Sequence, residues 1–209
     1  MNRISSKIIS LLCENNILER DKQELYTYAL EILFQSILHF STAVIIGCVF
    51  CMALESFLMF LSFSLVRRFA GGLHAKTPLR CYFTSIAAIS SMLFLIWFFT
   101  KWDNDVAYYI TLFISNLTIW IASPIESSNK PLGYKEKKVF KGVSIALSSI
   151  ITVLAVVIYE LVAVNVGVSL SFGLVLTALA LIYTLIQNML ASKQNNTKSN
   201  QVKERTNKL

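Results

Sequence analysis

Long apolar stretches dominate this sequence and constrain its fold more than any other feature. Crossing about 30 Å of hydrocarbon takes roughly 20 apolar residues in a helix. Stretches close to that length cover residues 29–50, 52–66, 81–100, 106–121, 143–159 and 166–190. The second is short and carries Glu55 near its start, which makes it the least typical of the six. The sequence therefore predicts an all-α polytopic membrane protein with about six transmembrane helices.

Composition supports the same fold class. Apolar residues make up 55% of the 209 residues and charged residues only 15%, and the mean hydropathy is +0.60. A soluble domain of this size could not bury so much apolar surface in a single core. The composition thus excludes an ordinary soluble enzyme and makes the lipid bilayer the expected partner of the chain.

The basic residues indicate how the chain is oriented in the membrane. The net charge is +7, and with six spans 18 of the 19 Lys and Arg residues fall on one side. Only Lys101 lies on the other side. Cytoplasmic loops are enriched in Lys and Arg, so this asymmetry predicts that both termini and the loop at 67–80 are cytoplasmic. Membrane topology accounts for the positive charge, and no nucleic-acid partner is predicted.

The chain divides into three predicted parts. In residues 1–24, apolar side chains recur at helical spacing at Ile4, Ile8, Leu11 and Leu12, which predicts an amphipathic helix in the membrane interface. An ordinary packing helix and a docking surface for an amphipathic partner are both open. Residues 25–191 are predicted to form the transmembrane domain. Residues 192–209 are rich in Asn, Lys, Ser and Gln, which is typical of a disordered cytoplasmic tail.

Two predicted cytoplasmic loops separate the spans into hairpins. The loop at 67–80 combines two adjacent glycines, a histidine and four basic residues. The loop at 122–141 contains two prolines and a run of lysines that includes Lys135, Lys137 and Lys138. The second loop is most simply interpreted as a solvated basic segment near anionic lipid.

The segment from Arg67 to Cys81 can supply the parts of a cysteine nucleophile site. Thr77 and Pro78 form a natural helix start, with Thr77 as the N-cap and Pro78 at the first helical position. Cys81 then falls in the first helical turn, where the helix dipole and Arg80 favour the nucleophilic thiolate. Backbone N–H groups at the same helix start could stabilise an oxyanion.

His74 precedes this helix start by a few residues, close enough to act as general base and then as general acid. Gly71 and Gly72 allow the chain to turn tightly before it. By spacing alone, a histidine and a cysteine seven residues apart are a weak pattern, and two residues without a joint role are the simpler interpretation. A metal site is disfavoured because two ligands are too few, and no cofactor is predicted.

The residues between Arg67 and Cys81, with the pattern Arg-x-x-x-Gly-Gly-x-His-Ala-x-x-x-x-x-Cys, resemble the accessory gene regulator B (AgrB) family. These proteins are membrane cysteine endopeptidases of quorum sensing in Gram-positive bacteria. The resemblance extends over most of the chain, through its length, its spans and the Pro-containing basic loop. No departure occurs at the matched positions.

This resemblance implies a thiol protease in the cell membrane that processes a small amphipathic propeptide (AgrD-like). It implies that Cys81 is the nucleophile and His74 the base, and that Arg67 and Gly72 match positions that matter for activity. The adjacent Arg68 is an alternative for the arginine. It also implies an acyl-enzyme thioester, which a substrate side chain captures to close a thiolactone or lactone autoinducer.

Other hypotheses follow from the same sequence. The basic residues Lys135, Lys137 and Lys138 are candidates for binding the acidic tail of such a propeptide. The main alternative function is a small peptide transporter, with His39 and Glu55 lining its path, and another is a non-enzymatic membrane partner. The sequence leaves open the identity of the propeptide, the ring type, product export and whether copies form a homo-oligomer.

Overall fold

A computed structural model describes residues 2–15, 18–71, 78–102, 104–125 and 133–206. Seven α-helices account for nearly all of this part of the chain, together with one short 3-10 turn at Arg20–Lys22. The helices are α1 (Asn2–Glu14), α2 (Gln23–Val49), α3 (Ala53–Ala70), α4 (Pro78–Trp102), α5 (Asp105–Ala122), α6 (Tyr134–Leu161) and α7 (Val164–Thr206). The all-α polytopic fold class predicted from hydropathy is confirmed.

Five of the helices in the described ranges are long and apolar enough to cross a membrane, and α3 is not among them. The five spans lie at Gln23–Val49, Tyr82–Trp102, Asp105–Ala122, Lys135–Leu161 and Val164–Leu190. Helix α3 carries Glu55, Arg67 and Arg68 within its 18 residues, which lowers its hydropathy. It is nevertheless about 27 Å long, close to the thickness of the hydrocarbon layer.

Helix α3 runs through the bundle in parallel with α7. Glu55 accepts a hydrogen bond of 2.7 Å from Asn165 near the start of both helices. Midway, the Ser62 hydroxyl donates to the Leu170 carbonyl at 2.9 Å. Farther along, Ala70 shares a buried cluster with Leu181. Because these contacts follow the same order along both helices, α3 crosses the bundle as a sixth helix whose polar residues are shielded by its neighbours.

Two buried clusters hold the bundle together. The larger lies among α2–α7 and includes Met59, Leu93, Ile96, Leu112 and Phe172. The smaller unites Val66 and Ala70 of α3 with Ile119 and Ile125, and with residues of α6 and α7. The smaller cluster lies where α3 ends and the segment containing the predicted catalytic residues begins.

Three features differ from the sequence-based expectations. Lysines 135, 137 and 138 lie on the first turns of α6, not in a loop, because this helix begins at Tyr134. The Glu136 carboxylate accepts a hydrogen bond of 3.1 Å from the Gly133 N–H, which caps this helix start. Helix α7 continues to Thr206, whereas composition predicted disorder from residue 192. No Gly or Pro interrupts this polar segment, so the helix continues in register.

The third difference concerns the N-terminal segment. Helix α1 ends at Glu14, well before residue 24, and packs against α2. Ser5, Ile9 and Cys13 are buried along one stripe, whereas Leu11 is 57% exposed. The segment is therefore a packing helix that also retains an apolar exposed face. Its predicted place in the membrane interface stays a prediction.

Candidate functional site

Pro78 is the first residue of α4, as the sequence predicts. Cys81 is therefore the fourth residue of this helix and belongs to its first turn. Amide N–H groups in a first helical turn lack intrahelical acceptors and make the helix start electropositive. His74 and Gly72, the other two motif residues in this segment, lie outside the described residues.

The chain enters the candidate segment through a backbone bridge at Gly71. The Ile125 N–H donates to the Ala70 carbonyl at 3.0 Å, and Gly71 and Ile125 form an isolated parallel bridge. Gly71 has φ of +77°, which disfavours other residues. A Cβ at this position would lie 2.3 Å from the Ile125 carbonyl oxygen. Gly71 is thus required both for the backbone turn and for the close approach of the second connection.

This bridge joins the two connections that the sequence predicts on one side of the membrane. Ile125 is only 8% exposed and is anchored in the smaller buried cluster. Nearby, the Phe69 ring meets the Phe140 ring edge to face, with centroids 6.0 Å apart. The end of α3 and the basic start of α6 are therefore packed together. Their association was not predicted, because no local sequence pattern pairs residues 54 or 71 positions apart.

Arg67 lies one turn before the bridge and is half-buried. Its guanidinium carbon lies 5.1 Å from the centroid of the Phe63 ring, a cation–π arrangement on the same helix. Lys135, Lys137 and Lys138 are exposed on α6. Lysines at a helix N-terminus oppose the helix dipole, so together they create a strongly electropositive surface.

His39 and Glu55 lie on the neighbouring helices α2 and α3. The Ser56 hydroxyl, next to Glu55, donates to the Ala43 carbonyl at 2.7 Å, and Ala43 lies about one turn after His39. The His39 ring centroid is 6.0 Å from that of Tyr82, near the start of α4. Glu55 lines an open cavity of about 300 Å³ near the end of α4, together with Met52, Trp97, Thr100, Lys101, Val164 and Asn165. His39 does not line this cavity.

Metal binding has no support from the described side chains, which contain no group of three or more His, Cys, Asp or Glu placed to hold an ion.

Comparison with known proteins identifies the family. The sequence model described as Accessory gene regulator B matches residues 5–203. The chain belongs to this family. Family membership supports a peptidase-like role in processing the accessory gene regulator autoinducer, with an AgrD-like propeptide as partner.

Two curated relatives from Clostridium perfringens are named AgrB-like proteins. The one from strain SM101 is 28% identical over 165 residues, covering 75% of each chain. The second, from strain 13, is 28% identical over 193 residues, covering 86% of this chain and 88% of its own. No solved structure matches the chain significantly.

Proposed function

We propose that this chain is a membrane cysteine endopeptidase that cleaves a small amphipathic propeptide, with Cys81 as nucleophile and His74 as general base. The observation that carries the proposal is the start of α4 at Pro78, which puts Cys81 in the first turn of a helix in an AgrB family member. No other cysteine of the described chain lies within the first turn of a helix.

The proposed reaction begins when His74 accepts the Cys81 thiol proton and the thiolate attacks the scissile carbonyl carbon. The resulting oxyanion is stabilised by free N–H groups at the start of α4. The C–N bond then breaks, and His74 returns the proton to the leaving amine. This step releases the C-terminal piece of the propeptide and leaves its N-terminal piece as a thioester on Cys81.

The thioester retains enough free energy for a second acyl transfer. His74 accepts the proton of a thiol or hydroxyl of the bound peptide as that group attacks the thioester carbonyl; the C–S bond then breaks, and the Cys81 thiolate that leaves is paired with the protonated His74. The product is a thiolactone or a lactone, depending on the attacking group. Exclusion of water at a membrane surface would favour this ring closure over hydrolysis.

The basic surface at the start of α6 is the proposed binding site for the acidic tail of the propeptide. The Phe69–Phe140 contact and the Gly71–Ile125 bridge support this proposal, since they join α6 and its preceding connection to the end of α3. A substrate held by Lys135, Lys137 and Lys138 would then lie beside the segment that carries the proposed catalytic pair.

The proposed orientation has both termini and the segment at 67–81 in the cytoplasm. It rests on the charge asymmetry of 18 of 19 basic residues and on the alternation of helices α2–α7. The propeptide would then be processed on the side where it is synthesised.

The deciding experiment measures cleavage of an AgrD-like propeptide by the full chain in liposomes. Cys81→Ala and His74→Ala are each expected to reduce the rate by at least about 1,000-fold, because nucleophile and base act as one unit. Cys48→Ala is the matched control, since it removes an exposed thiol at the far end of α2. Normal cleavage by either of the first two variants would refute the proposed catalytic pair.

A further inference from the structure

The side chain of His39 contains a buried polar atom, and this atom does not stabilise the fold. Its Nδ1 atom is inaccessible to solvent and has no hydrogen-bond partner among the described residues. An unpaired buried polar atom destabilises a fold, and within a membrane-spanning helix water offers no compensation. An apolar residue of similar size would be less costly at this position. Such atoms call for a functional explanation.

The surroundings of His39 connect it to the candidate site. Its ring lies 6.0 Å from the ring of Tyr82, the residue that follows Cys81 on α4. The Tyr82 hydroxyl is 3.2 Å from Thr42 Oγ1, which lies one turn after His39 on the same face of α2. Thr42 Oγ1 uses its only proton in a bond of 2.8 Å to the Leu38 carbonyl, so Tyr82 must be the donor. Helix α2 therefore contacts Tyr82 at two points.

A third helix packs against this part of α2. The Phe40 ring, next to His39 in the sequence, has its centroid 6.1 Å from that of Phe60 on α3. The unpartnered imidazole nitrogen therefore lies inside the bundle, beside the residue that follows Cys81.

A peptide substrate would need polar partners at this location. A peptide that approaches the membrane-buried side of a helix start loses water from its backbone N–H and C=O groups. Each lost interaction opposes binding unless the protein replaces it. The imidazole Nδ1 can either donate or accept a hydrogen bond, depending on its tautomer.

We propose that His39 is a substrate-positioning residue: its ring packs beside Tyr82, and its Nδ1 hydrogen-bonds the backbone of the peptide that lies across the start of α4. This inference rests on the proposed peptidase function. It adds a residue from α2 to a site whose motif residues all lie between Arg67 and Cys81.

The test compares two substitutions of His39: one keeps an aromatic ring, and the other keeps a polar group near the position of Nδ1. His39→Phe retains an aromatic ring beside Tyr82 but loses Nδ1, and we expect kcat/KM for the propeptide to fall about tenfold. His39→Asn places an amide near the position of Nδ1 and should recover part of this loss. Ser36→Ala is the matched control on α2, because Ser36 is exposed and bonds only the Ile32 carbonyl of its own helix. It should cleave like the unmodified chain.

Two further measurements distinguish positioning from a structural role. The melting temperature of His39→Phe should be unchanged or higher, because an unpaired polar atom has been removed. In a chain whose other three cysteines are replaced by alanine, the rate of Cys81 alkylation by iodoacetamide should also be unchanged. Normal cleavage by His39→Phe would overturn the inference. So would a loss of cleavage that merely parallels a lower melting temperature or slower alkylation.

The Cys81→Ala variant keeps this result separate from the proposed function. If Cys81→Ala abolishes cleavage while His39→Phe has no effect, the peptidase proposal stands and the inference about His39 falls. If Cys81→Ala still cleaves, both fall, because His39 would then have no thiol-protease site to serve.

Discussion

The two ends of the helical bundle differ in the hydrogen bonding of their polar side chains. At the end where α5 begins, polar groups are paired with one another: Tyr159 donates to Asp105 at 2.5 Å, Tyr109 donates to Glu160, and Tyr108 bonds Ser171 at 2.9 Å. The Tyr108 and Tyr159 rings also stack with centroids 4.1 Å apart. These contacts link α5, α6 and α7, and their role in packing is sufficient to explain them.

At the end that carries Gly71, several polar groups have no such partner among the described residues. The buried atoms without a hydrogen bond there include Ser123 Oγ and Ser144 Oγ. The lysines at the start of α6 are exposed and oppose the helix dipole. Neither unpaired buried polar atoms nor lysines at a helix N-terminus stabilise the fold. The comparison shows that polar side chains pair with one another at one end, whereas the end that carries the proposed site has buried polar atoms without partners among the described residues.

Outside the proposed catalytic pair, the largest effect is expected from Gly71→Ala, which disrupts the bridge between the two connections. A methyl group at 2.3 Å from the Ile125 carbonyl oxygen cannot be accommodated without moving the backbone, and the φ of +77° adds strain. We expect propeptide cleavage to fall about 100-fold, because small displacements of reacting groups have large kinetic effects.

Gly142→Ala is the control for that prediction. A Cβ at Gly142 would meet no atom within 4 Å. Since alanine is the better helix former, this change should preserve cleavage and raise stability by about 0.5–1 kcal/mol. Equal cleavage by both alanine variants would show that the bridge does not matter for the site.

An intermediate effect is expected when Lys135, Lys137 and Lys138 are replaced together by Gln. Exposed charge interactions are individually modest, so loss of three should reduce kcat/KM for an acidic-tailed propeptide about tenfold at low ionic strength. The difference should shrink toward 1 M salt, where charges are screened beyond about 3 Å.

The matched variant replaces Lys193, Lys198 and Lys203 by Gln, which removes the same charge from the C-terminal part of α7. It should cleave normally at every salt concentration. If both triple variants lose activity equally, the effect reflects net charge, and the basic surface on α6 is not a specific binding site.

The smallest effect on processing is expected at the opposite end. Tyr108→Phe removes the hydroxyl that donates to Ser171, whose own proton is used in a bond of 2.9 Å to the Gly167 carbonyl. We expect a loss of about 1 kcal/mol in stability, with the cleavage rate per folded molecule unchanged. Measuring the melting temperature and the cleavage rate on one preparation checks both. A lower cleavage rate per folded molecule would contradict the proposed difference in role between the two ends.

The start of α4 could be predicted because its signals are local, whereas the catalytic roles of Cys81 and His74 stay predictions. Pro at a first helical position constrains the backbone of the adjacent residues, so the start of α4 and the place of Cys81 in its first turn followed from residues 77–81. The lysine run was predicted as a loop because its composition is polar. Tyr134–Leu161 is one continuous helix instead, since lysine and glutamate are also good helix formers.

Helix α3 shows what composition alone cannot predict. Its short apolar stretch and Glu55 made it the least typical of the predicted spans, and it is not apolar enough to count among the five. Its polar groups are accommodated by specific partners on α7, such as Asn165 for Glu55 and the Leu170 carbonyl for Ser62. A count of apolar residues cannot reveal such partners.

The sequence by itself determined the all-α membrane fold, because the thickness of a bilayer fixes how long an apolar helix must be. It also determined where α4 begins and which family the motif resembles. Only the tertiary structure decided that Gly71 meets Ile125 and that His39 lies beside Tyr82. These pairs are 54 and 43 positions apart, and their contact depends on how the helices pack. Local propensities carry no information about such packing, so both pairs became visible only in the assembled bundle.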